Sequence, residues 1–161
     1  MSRRDKTNYY LDIAWAVGKR GTCLRRNFGA IIVNNDEIIA TGFNGASRGR
    51  ENCCDRKMCV REEMGIPRGQ RFEICRSVHA EANCIISAAR KDMMGGTMYL
   101  TCRDAKTGEI DGAVECCSMC KRLIINAGIN EVVVRTSENE FKRTLVHDWV
   151  INDDTVASEG Y

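Results

Sequence analysis

Long apolar runs and a hydrophobic leader are both absent from this sequence. No stretch of eighteen residues is apolar throughout, so the chain offers no candidate for a membrane-spanning helix. The first residues carry charge, but no apolar segment of the kind found in a secretory signal follows them. We therefore expect a cytoplasmic protein that has no membrane partner.

An excess of either charge is also missing. The formal net charge is +2, whereas proteins that bind nucleic-acid backbones usually carry a clustered basic face. Nucleic acid is therefore not an expected partner, while a small anionic substrate remains compatible. The chain has 161 residues, 43% of them hydrophobic, and no internal repeat. This length predicts one domain, residues 1–161, with a single core.

Proline is nearly absent and histidine is rare, but cysteine is abundant. The chain has one proline and two histidines against ten cysteines. In a reducing compartment, this many cysteines indicate metal binding rather than disulfides. Half of them lie in the segment before His79 and suggest a site of their own: Cys23, Cys53, Cys54, Cys59 and Cys75.

Another set of residues predicts an open zinc site. His79, Cys117 and Cys120 would supply one imidazole and two thiolates, which with one water complete four-coordination and leave a reactive position. Glu81 follows the histidine by two residues and would carry protons beside the metal. If His79 lies in the first turn of a helix, both side chains can serve one cavity. A Cys-x-x-Cys at the start of a second helix favours the thiolate form.

Other interpretations of the Cys117–Cys120 pair explain less. A redox Cys-x-x-Cys leaves His79 and Glu81 without a role. A closed structural zinc site would use a fourth protein ligand rather than a carboxylate beside an open position. The remaining alternatives are buried cysteines without a role and a Glu81 that is only a solvated glutamate at a helix start.

The hydrophobic pattern predicts a sheet covered by helices. Helices are expected over residues 7–20, 79–91, 117–127 and 138–152, and strands over 28–33, 37–42, 97–101 and 130–135. The stretch Asn34-Asn35-Asp36 is expected to turn the first two strands into a hairpin. Residues 44–76 and 102–115 show no convincing period and are expected to be excursions that have a function or are held in place. Residues 153–161 are expected to form a tail.

Four stretches within residues 8–136 match known zinc deaminases: Phe28–Val33, Gly42–Gly45, His79–Ile85 and Cys117–Lys121. Through them the chain resembles the deoxycytidylate (dCMP) deaminases of the cytidine deaminase superfamily, and it is similar to the late competence proteins with the same domain. The resemblance implies an α/β fold, a three-layer α/β/α sandwich on a mixed sheet of about five strands. It also implies an enzyme that uses zinc to hydrolyse dCMP to dUMP and ammonia in pyrimidine deoxynucleotide metabolism, and a homo-oligomer.

Three departures from the family pattern affect details of the site. Cys116 stands where proline is usual and adds a thiol that could compete for the metal. Ser47 also replaces a usual proline, so its loop can be set differently. The segment over residues 102–115 is longer than in typical members, and we predict that it covers part of the substrate or a neighbouring subunit.

The resemblance also points to residues that bind the substrate. It implies that Asn44 contacts the sugar, and an amide suits a 3′-hydroxyl because it both donates and accepts. The alternative is that Asn44-Gly45 only forms a turn that requires positive φ. Arginine suits bidentate contact with a 5′-phosphate, although exposed arginines are mostly just solvated. Four arginines flank the matching stretches, and Arg26 is the preferred candidate: Arg25, Arg26, Arg48 and Arg50.

Some dCMP deaminases carry an extra zinc, and the resemblance places Cys23 and Cys53 where its ligands are expected. The predicted second zinc is structural and has four thiolate ligands: Cys23, Cys53, Cys59 and Cys75. Such a site is closed and would hold the excursion over residues 44–76 in order. Cys54 is the substitute for Cys53, and the alternative is a set of unliganded thiols in a mobile loop.

Other functions stay open at this point. A deaminase of tRNA adenosine would share the zinc site but should carry a basic surface for RNA. A competence-related protein could use the domain as an interaction module, although Glu81 and an open zinc position are costly to keep in a scaffold. A deaminase of another cytosine nucleotide or nucleoside is the third alternative.

Overall fold

The computed structural model describes residues 1–153, and five of its strands form the main sheet. The strands are β1 (Arg26–Asn34), β2 (Glu37–Phe43), β3 (Gly45–Ala46), β4 (Ser77–Val78), β5 (Thr97–Asp104), β6 (Glu131–Arg135) and β7 (Phe141–Leu145). The helices are α1 (Lys6–Gly18), α2 (Cys53–Arg56), α3 (Val60–Glu63), α4 (Ala80–Ile86), α5 (Arg90–Met93), α6 (Ser118–Ala127) and α7 (Val146–Ile151). Apart from Asp153, the predicted tail lies outside the described residues. None of these helices is long and apolar enough to cross a membrane.

The main sheet is mixed. Its strand order is β2-β1-β5-β6-β7, with β5 and β6 parallel and the other neighbouring strands antiparallel. Parallel neighbours need a crossover connection, which contains α6 here. The prediction of a mixed sheet of about five strands is confirmed.

Both faces of the sheet are apolar, and helices cover each of them. Alternate residues of a strand point to opposite faces, so Ile31 and Ile32 of β1 enter different cores. The core against α1 contains Tyr10, Leu11, Ala14, Ile31, Val33, Tyr99 and Val133. The core against α4 and α6 contains Ala30, Ile32, Ala80, Cys84, Met98, Leu100, Ile124, Val132 and Val134. The predicted α/β/α layering is confirmed.

The first three elements follow the sequence pattern closely. Asp5 caps α1 by accepting a hydrogen bond from the N–H of Asn8 (2.9 Å), and the helix covers nearly all of the predicted range. Asn35 and Asp36 have φ values of 48° and 65°. Two left-handed residues between antiparallel strands are typical of a tight hairpin turn, so the predicted hairpin is confirmed.

The helix predicted over residues 79–91 is shorter than expected and broken. Helix α4 ends at Ile86, and α5 follows after a break. The N–H of Ser87 bonds to the carbonyl of Cys84, three residues back, and its hydroxyl donates to the carbonyl of Asn83 (2.8 Å). The backbone therefore tightens and the helix ends, although the apolar spacing continues.

The last predicted helix, over residues 138–152, is half strand. This segment contains β7 and α7 rather than one helix. Strand β7 pairs with β6 from Arg135 opposite Phe141 to Glu131 opposite Leu145. The pairing satisfies main-chain N–H and C=O groups at the edge of β6 that would otherwise lack hydrogen-bond partners. The apolar spacing within residues 138–152 does not reveal that β6 is available as a pairing partner.

The excursion over residues 44–76 returns to its starting point. Its ends pair as β3 and β4, with Gly45 opposite Val78. Between them lie α2, α3 and a single 3-10 turn at Phe72–Ile74, so the segment is more ordered than the irregular loop predicted. The pairing fixes the backbone position of Val78, the residue directly before His79.

Helix α4 lies close against β2 because position 42 has no side chain. A Cβ at Gly42 would stand 2.4 Å from the carbonyl oxygen of Ala80, and glycine permits this approach. The amide of Asn83 donates to the carbonyl of Phe43 (2.8 Å). These contacts fix the start of α4 and therefore the position of His79.

Candidate metal centre and substrate cavity

The three predicted zinc ligands meet between the starts of two helices. His79 is the N-cap residue of α4, Cys117 is the N-cap residue of α6, and Cys120 lies in the first turn of α6. The Nδ1 atom of His79 lies 3.4 Å from the sulfur of each cysteine. The three ligand atoms all lie within 4.8 Å of one another, and residues 1–153 contain no other such group of three.

The spacing of these atoms fits a tetrahedral zinc ion. Zn–N and Zn–S bonds of about 2.0 and 2.3 Å place a nitrogen and a sulfur about 3.5 Å apart at a tetrahedral angle. The observed separations of 3.4 Å are close to this. One imidazole and two thiolates also leave a fourth position for water, as catalytic zinc sites do.

The pKa values of the two thiols are shifted in opposite directions. The Cys120 thiol donates a hydrogen bond to Cys117, which lowers the pKa of Cys117 and raises that of Cys120. Burial opposes a thiolate at Cys117, while His79 favours it. A zinc ion would bind both sulfurs as thiolates, so metal binding releases the proton of Cys120.

Glu81 lies in the first turn of α4, beside the ligand group. Its side chain is buried, with 3% of the residue exposed. Burial raises the pKa of its carboxyl group, and His79 and a hydrogen bond with the Cys116 thiol partly oppose this rise. A carboxyl group with a raised pKa suits transfer of protons in both directions near neutral pH. Cys116 itself takes no place in the ligand group.

A cavity of about 330 Å³ opens onto Glu81, His79 and Cys117. Its walls come from the start of β1, from the excursion over residues 44–76 and from the segment before α6. This volume lies in the range of small-molecule sites. The ring of Phe72 forms one wall and meets the His79 ring edge-on, with centroids 4.9 Å apart.

Asn44 lines this cavity, and both ends of its amide are held. Its Oδ1 accepts from the N–H of Phe28 (2.9 Å), and its Nδ2 donates to the carbonyl of Arg26 (2.8 Å). Neither Asn44 nor Gly45 has positive φ, so the alternative of a turn that requires positive φ does not hold. The amide has a second N–H that can donate to a ligand, and the sugar contact stays a prediction.

The four arginines proposed for a phosphate separate into two groups. Arg25 and Arg26 line the cavity, and Arg26 also forms an ion pair with Asp111 (3.0 Å). Arg48 and Arg50 are exposed and lie outside the set of residues that line it. Three further residues line the cavity and were not predicted: Arg61, Arg68 and Phe72. They lie in the excursion over residues 44–76, whose sequence shows no period that would mark them.

The segment over residues 102–115 reaches the rim of the cavity. Strand β5 continues to Asp104, so the irregular part is shorter than predicted. Ala113, Val114 and Glu115 line the cavity. Its expected role as a cover for the substrate or a neighbouring subunit stays a prediction.

Of the cysteines proposed for a second zinc, Cys53 is buried and has a raised pKa. Burial is the main cause of the raised pKa of Cys53, and the sulfurs of Cys23, Cys75 and Cys59 add to it. Cys54 is exposed, which favours Cys53 as the member of the set. Thiolates around a tetrahedral zinc stand about 3.8 Å apart, whereas within residues 1–153 no three of these four sulfur atoms lie within 4.8 Å of one another.

Known sequences resemble this chain over most of its length. A model of the cytidine and deoxycytidylate deaminase zinc-binding region matches residues 4–136. The deoxycytidylate deaminase of Mycobacterium phage D29 is 35% identical over 138 residues, which cover 83% of this chain and 96% of the relative. The deoxycytidylate deaminase of Schizosaccharomyces pombe is 32% identical over 132 residues, which cover 82% of this chain and 37% of that longer relative.

A solved structure shares both the fold and part of the sequence. The dCMP deaminase from the cyanophage S-TIM5, in complex with dCMP and dUMP, superposes with a TM-score of 0.60. The two proteins are 25% identical, and the match covers 84% of each chain.

Proposed function

The chain belongs to the cytidine and deoxycytidylate deaminase zinc-binding family, and from this we propose that it hydrolyses dCMP to dUMP and ammonia with zinc as its metal. The observation that carries the proposal is a buried carboxylate, Glu81, beside three zinc-ligand residues that leave the fourth coordination position for water. Glu81 and two of the three ligand residues, His79 and Cys117, line one cavity that is large enough for a small molecule.

The residues divide the chemistry between them. Zinc, when bound by His79, Cys117 and Cys120, lowers the pKa of water towards neutrality and so supplies a nucleophile for C4 of cytosine. Glu81 takes a proton from the attacking water and passes it to N3 of the ring, which makes C4 electrophilic. After addition at C4, Glu81 moves the second proton to the exocyclic nitrogen. Ammonia leaves, and the ring becomes uracil.

The walls of the cavity support these proton transfers. Phe28, Phe72 and Val114 are apolar parts of the wall and limit the access of water around Glu81. Asn44 has an amide N–H available for a sugar hydroxyl, and Arg26 brings positive charge to the same cavity. We assign these two residues to substrate binding.

The substrate preference is tested by release of ammonia from dCMP, dCTP, deoxycytidine and a tRNA anticodon stem. We expect dCMP to give the highest kcat/KM, with Glu81→Gln as the blank for background release. Release from the tRNA stem alone would instead identify an RNA-editing deaminase. No release from any of the four, by protein loaded with zinc, would contradict an enzymatic role and favour the interaction module.

A second zinc is the further part of the proposal. Cys23, Cys53, Cys59 and Cys75 would close a structural site, and three of them lie in the excursion that forms a wall of the cavity. The support comes from Cys53, whose pKa is raised mainly by burial and further by the nearby sulfurs of Cys23, Cys75 and Cys59. Metal binding would then contribute directly to the order of this segment.

Metal analysis tests the second site. We expect two zinc ions per native chain and one in Cys59→Ser. The variant leaves only three thiolates at the second site, whereas a structural zinc site normally has four protein ligands. The matched control is Cys54→Ser, which changes an exposed thiol of the same segment and should leave two. One zinc in both the native protein and Cys59→Ser would show that the four thiols are unliganded.

A further inference from the structure

Four buried donor groups without a hydrogen-bond partner belong to residues that line the cavity. They are Nη1 of Arg25, Nε of Arg26, Nε of Arg61 and Oγ of Ser77. A buried donor that stays unpaired costs free energy, and folded proteins rarely keep several at one place. All four can donate to an oxyanion, so the cavity is suited to a ligand that carries one.

Arg61 differs from the other arginines of this cavity. Three of the four form ion pairs with carboxylates: Arg25 with Glu62 (3.4 Å), Arg26 with Asp111 (3.0 Å) and Arg68 with Asp104 (3.7 Å). No carboxylate of residues 1–153 forms an ion pair with Arg61, which is only 6% exposed. The Glu73 carboxylate is near enough to interact with this charge but does not contact it. A buried cation that no carboxylate contacts is unfavourable, so a bound anion is a natural source of a direct partner.

Local contacts hold the guanidinium group of Arg61 in place. Its Nη2 donates to the carbonyl of Pro67 (3.3 Å), and its central carbon lies 4.8 Å from the centre of the Phe72 ring. The same ring also meets the His79 ring edge-on, with centroids 4.9 Å apart. Phe72 therefore contacts both the Arg61 guanidinium and one of the proposed zinc ligands. These contacts leave the Nε of Arg61 without a hydrogen-bond partner.

We propose that Arg61 binds the 5′-phosphate of the substrate and makes the site select a nucleotide over the corresponding nucleoside. This rests on the proposed function, because it assumes that the cytosine ring lies at Glu81. A nucleoside monophosphate carries its phosphate one sugar and a short link away from the base, and Glu81 and Arg61 line the same cavity. The planar fork of arginine matches two phosphate oxygens, and the Ser77 hydroxyl, in a residue that lines the same cavity, is a neutral donor without a partner.

The kinetic test compares dCMP with deoxycytidine in Arg61→Gln. We expect kcat/KM for dCMP to fall by about 30-fold or more, as loss of a charge-assisted hydrogen bond in a buried site predicts. The value for deoxycytidine should change by less than about threefold, since that substrate has no group for Arg61 to bind. Arg61→Lys, which keeps the charge without the fork, should lie between the two. The control is Arg56→Gln, which removes an exposed arginine of the same excursion and should leave both values unchanged.

A binding test separates this inference from the deaminase activity. Inorganic phosphate and dUMP should raise the melting temperature of the wild-type protein and of Arg56→Gln, but not that of Arg61→Gln, whether or not the protein turns over dCMP. If Arg61→Gln does not fold, the same comparison is made with Arg61→Lys, for which a smaller shift is expected. Equal loss of activity on dCMP and deoxycytidine, or phosphate stabilisation that persists without Arg61, would overturn the proposal.

Discussion

Replacement of Glu81 by Gln will leave the zinc content unchanged and lower kcat for dCMP by about 10⁴-fold. The amide keeps the shape of the side chain but can no longer accept a proton from water and deliver it to the ring. Two successive transfers depend on this one carboxylate, so the loss should lie at the upper end of the range for a single proton-transfer group. Zinc is retained because the ligand atoms belong to His79, Cys117 and Cys120.

The measurement combines metal analysis with steady-state kinetics on dCMP. The matched control is Glu63→Gln, which makes the same chemical change at an exposed position of α3 and should retain full activity. Activity of Glu81→Gln within tenfold of the native value would show that another group moves the protons.

Loss of Cys117 should remove both metal and activity. Cys117→Ala takes one of three protein ligands from the proposed catalytic zinc, and this ligand is a thiol whose lowered pKa favours the thiolate that zinc binds. Two protein ligands are too few for a catalytic zinc site, which normally has three. We expect the zinc content to fall by one ion per chain and kcat/KM to fall by about 10³-fold or more.

Cys116 complicates this experiment because it lies next to Cys117 and could supply a substitute thiolate. The double variant Cys116→Ala, Cys117→Ala therefore gives the decisive measurement. Cys116→Ala alone is the control: it removes the thiol that bonds to Glu81 but should keep the zinc. Metal and activity that persist in the double variant would show that the ligand assignment is wrong.

The candidate zinc ligands could be chosen from the sequence because their chemistry is local. A histidine two residues before a glutamate, and a pair of cysteines three positions apart, lie within single helix turns. The spacing inside each motif therefore already places its side chains relative to one another. What the structure added was the packing of α4 against β2 at Gly42 and against α6 through the core, which brings the two motifs together.

Two elements differ from the predicted helices because hydrogen bonds that the apolar spacing does not record decide their structure. Residues 141–145 form a strand because the edge of β6 offers them main-chain hydrogen bonds, and a helical pattern of apolar residues does not record that edge. The break after Ile86 follows from hydrogen bonds three residues back and from the Ser87 side chain. In both places the periodicity was present and the contacts overrode it.

The sequence by itself determined the α/β class, the hairpin at Asn35 and Asp36, and the residues proposed to hold zinc and to move protons, because each depends on short-range spacing or on the ligand chemistry of a side chain. Only the tertiary structure decided which arginine of the cavity forms no ion pair with a carboxylate. Arg61 is one of many arginines in the sequence, and nothing in its neighbours marks it. Its burial, its contact with Phe72 and the lack of a carboxylate partner within residues 1–153 arise from the closure of the excursion by β3 and β4. Burial and counterion pairing are properties of the folded surroundings, so they could not be inferred from spacing along the chain.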